Sequence, residues 1–512
     1  MIKKGACLLA ACLLTVTLYG CTSKEKDNTT SGPTSTDAAK KIEKVYTYAN
    51  AGNLTLASTL SKAEDLELVK QFIMDNSGFE VVPIIPPKGQ VPEKLNLLLA
   101  SNEPLDIFLG DVNTFRDHGA IQPLNELLNQ YGDHIKKLWP KEWDSSWKAL
   151  TDTEGKIWGI PIVPALAEKA VFLRSDWMKK LNLEMPKTID EFENVLKEFQ
   201  EKDPAGSGQT IPMITNLEGL NLALAAGYMD TGYGDWLDQD GKIKPAELHP
   251  GYKEFIAKMA DWYQKGYIYK ETFTINAEKM RELIKQNRVA SNVIHYSVVT
   301  NILDSLQQNV PEAMYEVPDE LQGPKGNITT MPDLPTIGWF VNKKSKNPEA
   351  AIKLLDWVHS DINNYLSIFY GIKDKHWRYT DEKNHVFERL NQDYVGEFLT
   401  GSTFAYTVQF APSDPASKPE FDFLGKYSGD TSRVKKAFTL DAAYRYDQKE
   451  ITEKLPNKAD IKRMIGEEVT KFIMGARPIS DYDKFIQELY TAGLDKWIEV
   501  YTDQYHKAVG SQ

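Results

Sequence analysis

The strongest constraint on the fold is an alternation of short apolar strands and amphipathic helices that begins near residue 43. Predicted strands over 45–48, 79–85 and 105–111 alternate with predicted helices over about 66–76 and 91–100. Short connections between strand, helix and strand favour a parallel βαβ sheet, because the helix carries the chain back to begin the next strand in the same direction. The sequence therefore predicts the α/β fold class.

Polar side chains follow two of these strands. In parallel sheets ligands bind at the carboxyl ends of the strands. Asn50 and Asn53 follow the first predicted strand, and Asp111 ends the third. We therefore predict that all three bind ligand, and turn formation is the alternative role for each of them.

All three cysteines, Cys7, Cys12 and Cys21, lie within the first 21 residues. The rest of the chain therefore cannot contain a disulfide, a cysteine metal site or a thiol nucleophile. Lys3 and Lys4 precede an apolar run over 6–14, which predicts a signal peptide over residues 1–20. The run is too short for a helix that spans a membrane.

The stretch Leu18-Tyr19-Gly20-Cys21 resembles a bacterial lipobox, in which a peptidase cuts before the cysteine. We therefore predict that Cys21 carries a diacylglyceryl group, whose two acyl chains would anchor the protein stably. A plain cleaved signal peptide is the alternative. Residues 22–40 are rich in Ser, Thr, Gly and Lys, so residues 21–42 are predicted to be a disordered tether. The sequence therefore predicts lipid anchoring to the extracytoplasmic face of the cell membrane.

Length and charge restrict the function further. The chain has 512 residues, too many for one core, and two or three domains or two large lobes are expected. Its net charge is -12 without a long basic run, so nucleic acid is not an expected partner. Motifs for metalloproteases, serine hydrolases and nucleotide binding do not occur, and the histidines are scattered, so we expect neither cofactor nor metal. With 72 acidic residues a glycosidase carboxylate pair remains open.

Aromatic residues in predicted turns are candidate ligand-binding residues. Flat aromatic faces and planar polar groups suit sugar rings and their hydroxyls. The tryptophans predicted to contact ligand, with packing inside a lobe as the alternative, are Trp158, Trp236, Trp339 and Trp377. Those predicted to be core residues on helical faces are Trp177, Trp262 and Trp497.

Three further residues flank predicted strands. Arg174 ends a strand, where its guanidinium would hold a carboxylate or vicinal hydroxyls; a structural ion pair is the alternative. Tyr296 follows the strand residues Val293-Ile294-His295 and is predicted to reach the ligand-binding cleft. His295 is predicted to be a buried strand residue instead.

Four stretches are similar to one family, the extracellular solute-binding proteins (family 1), and within it to LplA-like lipoproteins of carbohydrate ABC importers. The stretches are Asp152–Pro161 (DTEGKIWGIP), Arg174–Leu183 with Pro186–Phe192, Asn347–Asp356, and Lys471–Gly475 with Gly493–Trp497. In the family they read like DGKIYGLP, RxDWLxKLGLxxPxTxDEF, PEAAIRLID, and KFITG with LGLDKYI. Their order and spacing cover nearly all of the chain after the tether.

The resemblance implies a two-lobed periplasmic-binding-protein-like fold with a crossed, type II-like hinge near residues 160–164 and 335–339. One lobe would comprise 43–160 with about 315–375. The other would comprise 161–314 with about 376–512, which is mostly helical. Some relatives carry a calcium loop at positions 203–212; here Asp203 is the one carboxylate, so no calcium is expected.

The resemblance also implies a monomeric, non-enzymatic receptor that captures an oligosaccharide between its lobes and delivers it to the permease subunits of an ABC transporter. Two other functions stay open at this point. One is a membrane-tethered, glycan-active hydrolase, and the other is a sensor lobe coupled to a peptide or a receptor.

Overall fold

The computed structural model describes residues 42–48, 60–87, 89–152, 154–332, 335–399, 401–427, 431–441 and 446–509. The predicted signal peptide, Cys21 and the tether lie outside these residues. In the part of the chain that is described, we find no helix long and apolar enough to cross a membrane. The fold is mixed α/β with two main sheets, which confirms the predicted class.

Strands and helices are numbered here in chain order. The strands are β1 (Glu43–Tyr48), β2 (Phe79–Ile84), β3 (Ile107–Asp111), β4 (Ile160–Pro161), β5 (Lys169–Arg174), β6 (Ile211–Ile214), β7 (Trp236–Leu237), β8 (Ile243–Lys244), β9 (Val289–His295), β10 (Tyr315–Glu316), β11 (Gln322–Gly323), β12 (Gly326–Asn327), β13 (Thr330–Met331), β14 (Ile337–Val341), β15 (Trp377–Asp381), β16 (Val386–Arg389), β17 (Ala411–Pro412) and β18 (Lys435–Lys436). The α-helices are α1 (Ala63–Ser77), α2 (Val91–Ala100), α3 (Val112–Asp117), α4 (Asn125–Tyr131), α5 (Asp133–Leu138), α6 (Asp144–Ala149), α7 (Ser175–Leu181), α8 (Ile189–Lys202), α9 (Leu217–Leu224), α10 (Pro250–Lys265), α11 (Ala277–Lys285), α12 (Val299–Gln307), α13 (Pro348–Ser360), α14 (Ile362–Tyr370), α15 (Phe404–Thr407), α16 (Lys418–Tyr427), α17 (Phe438–Asp441), α18 (Gln448–Lys454), α19 (Lys458–Met474), α20 (Tyr482–Thr491) and α21 (Leu494–Val509).

The first sheet has the strand order β2-β1-β3-β14-β4. β1 runs parallel to both β2 and β3, which confirms the predicted βαβ arrangement. β14 pairs antiparallel with β3 and β4, so a strand from much later in the chain completes this sheet. Buried Val45, Val81 and Ile107 pack one face against α1 and α13. We call this sheet and its covering helices the first lobe.

The second sheet has the order β10-β5-β9-β6. β9 runs parallel to β6 and antiparallel to β5. Every residue of β5 is buried, because side chains that alternate along it enter two different apolar clusters. Val171 and Leu173 face one cluster, and Ala170 and Phe172 face the other. We call this sheet and the helices on both its faces the second lobe.

Two connections join the lobes, and the part of the chain that returns to the first lobe differs from the predicted one. The chain enters the second sheet after β4 and returns to the first sheet between β13 and β14. Tyr315 pairs with Arg174, so the stretch from β10 to β13 belongs to the second lobe. Trp377, Phe387 and Phe410 pack in the core of the first lobe. The returning segment of the first lobe is therefore about 335–412, because two-residue edge strands leave no recognisable sequence pattern.

The tryptophans predicted to be core residues are buried. Trp177, Trp262 and Trp497 are 4%, 0% and 3% exposed, and all three lie in one cluster of the second lobe. Trp262 contacts the ring of Phe192 edge-on, with 5.6 Å between centroids. This contact joins α8 to α10 and confirms the core prediction.

An ion cluster borders the same pair of helices. The two carboxylate oxygens of Glu193 accept hydrogen bonds from Lys258 Nζ at 2.6 Å and Lys265 Nζ at 2.7 Å. Burial raises the pKa of Glu193, but the hydrogen bonds from the two lysines outweigh burial and lower the pKa to about 2. Because an unfolded glutamate titrates near about 4.3, the cluster stabilises the fold above that pH and loses its effect as the pH falls toward 2.

We expect Glu193→Gln to lower the free energy of unfolding at pH 7 by about 2 kcal/mol, because the two lysines lose their charged partner. The difference from the wild type should shrink between about pH 4.5 and pH 2, where the wild-type carboxylate also becomes protonated. Urea denaturation over a pH series measures both values. Glu201→Gln, an exposed site on α8, is the control. An equal difference at pH 7 and pH 2.5 would contradict the assignment.

Candidate functional site

Side chains from both lobes surround one recess, which we call the interlobe recess. Its residues are Glu168, Lys169, Glu218, His295 and Tyr296 of the second lobe, Tyr370 and Arg389 of the first lobe, and Glu420 on α16. Most of them lie where an element begins or ends: Tyr296 follows β9, Tyr370 ends α14, and Arg389 ends β16. Element ends place these side chains at the rims of the two lobes.

The second-lobe wall is a stack of four rings. Phe172 of β5 lies against Phe423 with 5.9 Å between ring centroids and 24° between ring planes. Phe423 lies against Tyr296 at 5.0 Å and 12°, and Tyr296 against His295 at 4.6 Å and 28°. The backbone N–H of Tyr296 donates to the carbonyl oxygen of Glu168 at 3.2 Å. The stack therefore begins in the second-lobe core and ends at half-buried His295.

The first-lobe wall is an arginine over a tyrosine. Arg389 Cζ lies 5.4 Å from the ring centroid of Tyr370. Arg389 Nη2 donates to the carbonyl oxygen of Tyr394 at 3.0 Å. Phe387 contacts the Tyr370 ring edge-on at 4.9 Å and Phe410 contacts it at 5.9 Å. These contacts hold the guanidinium at the rim of the recess.

Helix α16 connects the two walls. Phe421 contacts Phe410 of the first-lobe core at 5.9 Å between ring centroids. Phe423, two residues later, belongs to the second-lobe stack. Between the lobes, a carboxylate oxygen of Glu420 accepts a hydrogen bond from the hydroxyl of Thr300 in α12. One helix thus contacts the first-lobe core, the second-lobe sheet and the recess.

The charged side chains of the recess lose part of their hydration to the surrounding protein, yet they remain accessible to solvent. Burial raises the pKa of Glu168 and of Glu420, and burial lowers the pKa of Arg389. Glu168 and Arg389 are nevertheless exposed side chains. Protein that surrounds an exposed charge on several sides removes part of its hydration without closing it off from solvent.

The pKa shifts of Tyr296 and Tyr370 indicate which charged groups lie near each hydroxyl. Burial raises the pKa of Tyr370 to about 12, with Arg389 opposing the rise and Glu420 adding to it. Burial also raises the pKa of Tyr296, and Glu420 and Glu168 add to that rise. Glu420 therefore lies within electrostatic reach of both tyrosines, one from each lobe. This places Glu420 between the two walls.

The recess can form many hydrogen bonds with hydroxyl groups. Carboxylates accept from hydroxyls, a guanidinium donates to hydroxyl oxygens, and tyrosine hydroxyls do both. Such groups beside aromatic rings are typical of sites for polar organic ligands. Among the described residues, those of the recess included, no three His, Cys, Asp or Glu side chains are grouped closely enough to hold a metal ion.

The predicted site residues at strand ends do not all lie in the interlobe recess. Asn50 and Asn53 lie outside the described residues. Asp111 caps α3: its Oδ1 accepts from the backbone N–H of Thr114 at 3.0 Å, and its Oδ2 accepts from the hydroxyl of Thr336. Tyr296 lies in the interlobe recess. The prediction that His295 is buried is wrong, because the residue is half-buried at the end of the ring stack.

Two of the predicted tryptophans are half-buried, away from the recess residues just described. Trp158 Nε1 donates to Asp152 Oδ2 at 2.8 Å, and its ring packs against an apolar cluster under the first sheet. Trp236 contacts His249 edge-on at 4.6 Å, and both line a separate cavity of about 540 Å³ beside Lys435. Ligand contact by Trp158 and Trp236 stays a prediction.

Three predicted ligand residues need correction because they are buried. Arg174 is 0% exposed; its Nε and Nη2 donate to the two oxygens of Asp176 at 2.8 and 2.7 Å, so the ion-pair alternative holds. Trp339, 1% exposed, lies in the first-lobe core on β14. Trp377, 0% exposed, donates from Nε1 to the carbonyl oxygen of Gly371 at 2.6 Å. A side chain enclosed in a core cannot touch a ligand in this conformation.

Among the recess residues that sequence analysis missed are Glu168, Tyr370, Arg389 and Glu420. None lies in a motif, and they come from four separate segments of the chain. The sequence gives one local indication, that Tyr370 ends a helix immediately before Gly371. The assembly of the four depends on how the segment after residue 376 packs, and that was assigned to the other lobe.

The segment at the position of the relatives' calcium loop is closed by its own side chain. Asp203, with φ of 44°, accepts from the backbone N–H of Gly208 at 2.6 Å and of Thr210 at 3.0 Å. It also accepts from the hydroxyl of Thr210 at 2.7 Å, and this bond lowers the pKa of Asp203. The Asp203 carboxylate therefore stabilises a turn.

Comparison with known proteins relates this chain to a family and to two relatives. The sequence profile of bacterial extracellular solute-binding proteins matches residues 57–364. The chain is 24% identical to lipoprotein LipO of Bacillus subtilis (strain 168) over 430 residues, 80% of each chain. It is 22% identical to the polygalacturonan/rhamnogalacturonan-binding protein YtcQ of the same strain over 441 residues, 82% of this chain and 84% of YtcQ.

The fold has a solved counterpart as well. The crystal structure of the N-glycan transport solute binding protein NgtS of Streptococcus pneumoniae superposes with a TM-score of 0.66 and 15% identity, covering 91% of this chain and 98% of that one. At this identity the likeness establishes the two-lobed fold and nothing finer. The family profile covers more than half of the chain, and its members are a class that binds solutes rather than converting them. The chain belongs to the bacterial extracellular solute-binding protein family.

Proposed function

We propose that this protein is an extracytoplasmic receptor that binds an oligosaccharide in the interlobe recess and delivers it to the permease of an ABC transporter. The observation that carries the proposal is the meeting of Tyr296, Glu420 and Arg389 in one recess, with contributions from both lobes. YtcQ is a polygalacturonan/rhamnogalacturonan-binding protein and NgtS is an N-glycan transport protein, and both support a glycan ligand.

The chemistry of the recess fits a sugar chain. The ring of His295 ends the four-ring stack and offers an aromatic surface to the C–H face of a sugar ring. Glu168 and Glu420 accept hydrogen bonds from hydroxyl groups, and the guanidinium of Arg389 donates to them. Because these charged groups are already partly dehydrated, replacing their last water molecules with sugar hydroxyls costs less than it would on a flat surface.

Binding is proposed to close the lobes about the two connecting segments near residues 160–164 and 335–339. A ligand shifts a conformational equilibrium only by its difference in affinity for the two states. A sugar held by His295 on one lobe and Arg389 on the other keeps both contacts only when the lobes are close. The closed form is the state that we propose the permease recognises.

We further propose that the protein acts as a monomer and releases its ligand unchanged. The retained Cys21 is proposed to carry the lipid that attaches the chain to the outer face of the cell membrane. LipO, a relative over 80% of the chain, is named as a lipoprotein, which supports the anchor.

Purified protein should show a raised melting temperature with at least one oligosaccharide in a thermal-shift screen, because a ligand that binds only the folded state stabilises it. His295→Ala and Tyr370→Ala should each weaken that binding by about tenfold or more, since each removes an aromatic contact or the support of Arg389. Isothermal titration calorimetry measures the affinities. Tyr490→Ala, an exposed site on α20, is the control. Hydrolysis of the bound sugar would contradict the proposal.

Two arginines provide a matched test of the site assignment. Arg389→Met should lower ligand affinity by about 10- to 100-fold, the effect of losing charged hydrogen bonds, and change stability little. Arg174→Met should lower the free energy of unfolding by about 3 kcal/mol, because it removes a buried guanidinium and leaves half-buried Asp176 without its ion-pair partner, and it should keep the affinity of the folded protein. Denaturation curves and titrations distinguish the two outcomes. The reverse pattern would place the ligand at Arg174.

Cys21→Ser should release the protein from the membrane into the soluble fraction and abolish incorporation of radiolabelled palmitate, because the substituted residue has no thiol to acylate. Cys12→Ser, a change within the predicted signal peptide, is the control and should retain both properties. Fractionation followed by immunoblotting measures the distribution. Membrane retention of Cys21→Ser would show that another element holds the protein there.

A further inference from the structure

We propose that the interlobe recess selects uncharged oligosaccharides and rejects those built from uronic acids, with Glu168 and Glu420 as the residues that set this selectivity. The inference rests on the proposed function and narrows its ligand class. It depends on which charges face the recess and on how they are paired.

Carboxylates outnumber cations around the recess. The acidic side chains are Glu168, Glu218 and Glu420, and the basic ones are Lys169 and Arg389. Lys169 is committed to an ion pair with Glu218. Among the described residues, no cation lies within ion-pair distance of Glu168 or Glu420. Two unpaired carboxylates therefore face one guanidinium.

Arg389 does not reverse this balance. Its guanidinium is held by the carbonyl oxygen of Tyr394 and by the ring of Tyr370. The same Tyr370 ring lies within the electrostatic influence of Glu420. A ligand carboxylate that reached Arg389 would therefore approach Glu420 as well. A ligand hydroxyl has no such conflict, because it accepts from Arg389 while donating to Glu420.

Dehydration makes the repulsion larger. Two negative charges repel each other more strongly where water is scarce. Burial already raises the pKa of both Glu168 and Glu420, so water is partly excluded from both carboxylates. A uronate would add a further negative charge to a site that already disfavours the ones it has.

The Thr300 hydrogen bond fixes one of the two carboxylates. The hydroxyl of Thr300 donates to one oxygen of Glu420 and leaves the other for the recess. Glu168 is exposed, and its backbone carbonyl is tied to Tyr296. Glu420 is thus held through one carboxylate oxygen and Glu168 through its backbone carbonyl, and this leaves carboxylate oxygens of both residues available to ligand hydroxyls.

The test uses oligosaccharides that differ only in charge. Wild-type protein is titrated with a set of neutral oligosaccharides, with α-1,4-linked oligogalacturonate and other oligouronates, and with the carboxyl-reduced form of each oligouronate. We expect the glycans that bind to be uncharged, and every oligouronate to bind at least tenfold more weakly than its carboxyl-reduced form. An oligouronate that binds as tightly as its reduced form overturns the selectivity. Failure of every glycan to bind overturns the proposed function instead.

Variants assign the selectivity to residues. Glu420→Gln and Glu168→Gln preserve side-chain shape and remove the charge, and each should raise the ratio of oligouronate to neutral affinity by about fivefold or more. The double variant should raise it further. Glu499→Gln, an exposed site on α21, should leave the ratio unchanged. Thermal melting of each variant verifies that it is folded. A ratio that stays at the wild-type value in the folded double variant overturns the assignment.

Discussion

The arrangement of the interlobe recess depends on the stacking of Phe423 against Tyr296. Phe421 and Phe423 lie two positions apart on α16, and side chains at that spacing point to opposite sides of a helix, about 200° apart. Phe421 is therefore able to pack on the first-lobe ring of Phe410 while Phe423 packs on the second-lobe stack. Glu420, beside them, is carried to the junction. Without this helix the walls would have no common neighbour to fix their polar groups.

Partial dehydration explains why the recess is suited to a polyhydroxyl ligand. A fully buried charge without a partner would destabilise the fold by several kcal/mol, about 3–5 when a buried pair is broken. Charges on an open surface are well hydrated and gain little from a ligand. Glu168, Glu420 and Arg389 lie between these limits, since they are accessible but lose part of their hydration to the surrounding walls. Hydroxyl groups replace the missing water without adding charge.

The sequence predicted those features that depend on neighbours along the chain. The βαβ start of the first lobe, the buried Trp262 and the strand that leads to Tyr296 each follow from local spacing. Arg174 and Trp377 could not be placed in this way. Both residues lie at the ends of strands, where the local sequence pattern fits an exposed rim and a buried core equally well. Their tertiary partners decide the position: Asp176 binds the arginine, and the Gly371 carbonyl accepts a hydrogen bond from the tryptophan.

The recess itself was the least predictable part. Tyr370 and Arg389 approach Glu420 only because the segment 377–412 packs on the first lobe, and that segment has short strands with weak patterning. Long-range packing of this kind leaves no periodic signal in a single sequence. The family resemblance indicated that a cleft should exist, but it did not indicate which side chains line it.

The division of the recess between lobes links its chemistry to the proposed closure. In that closure His295 and Tyr296 would move with the second sheet, because Phe172 anchors their stack in β5. Arg389 and Tyr370 would move with the first-lobe core through Phe387. If the lobes separate, a bound sugar retains one wall and loses the other, so its affinity falls by the contribution of the lost wall. That difference is the free energy with which a ligand favours closure, and a ligand that contacts only one wall would bind without favouring it.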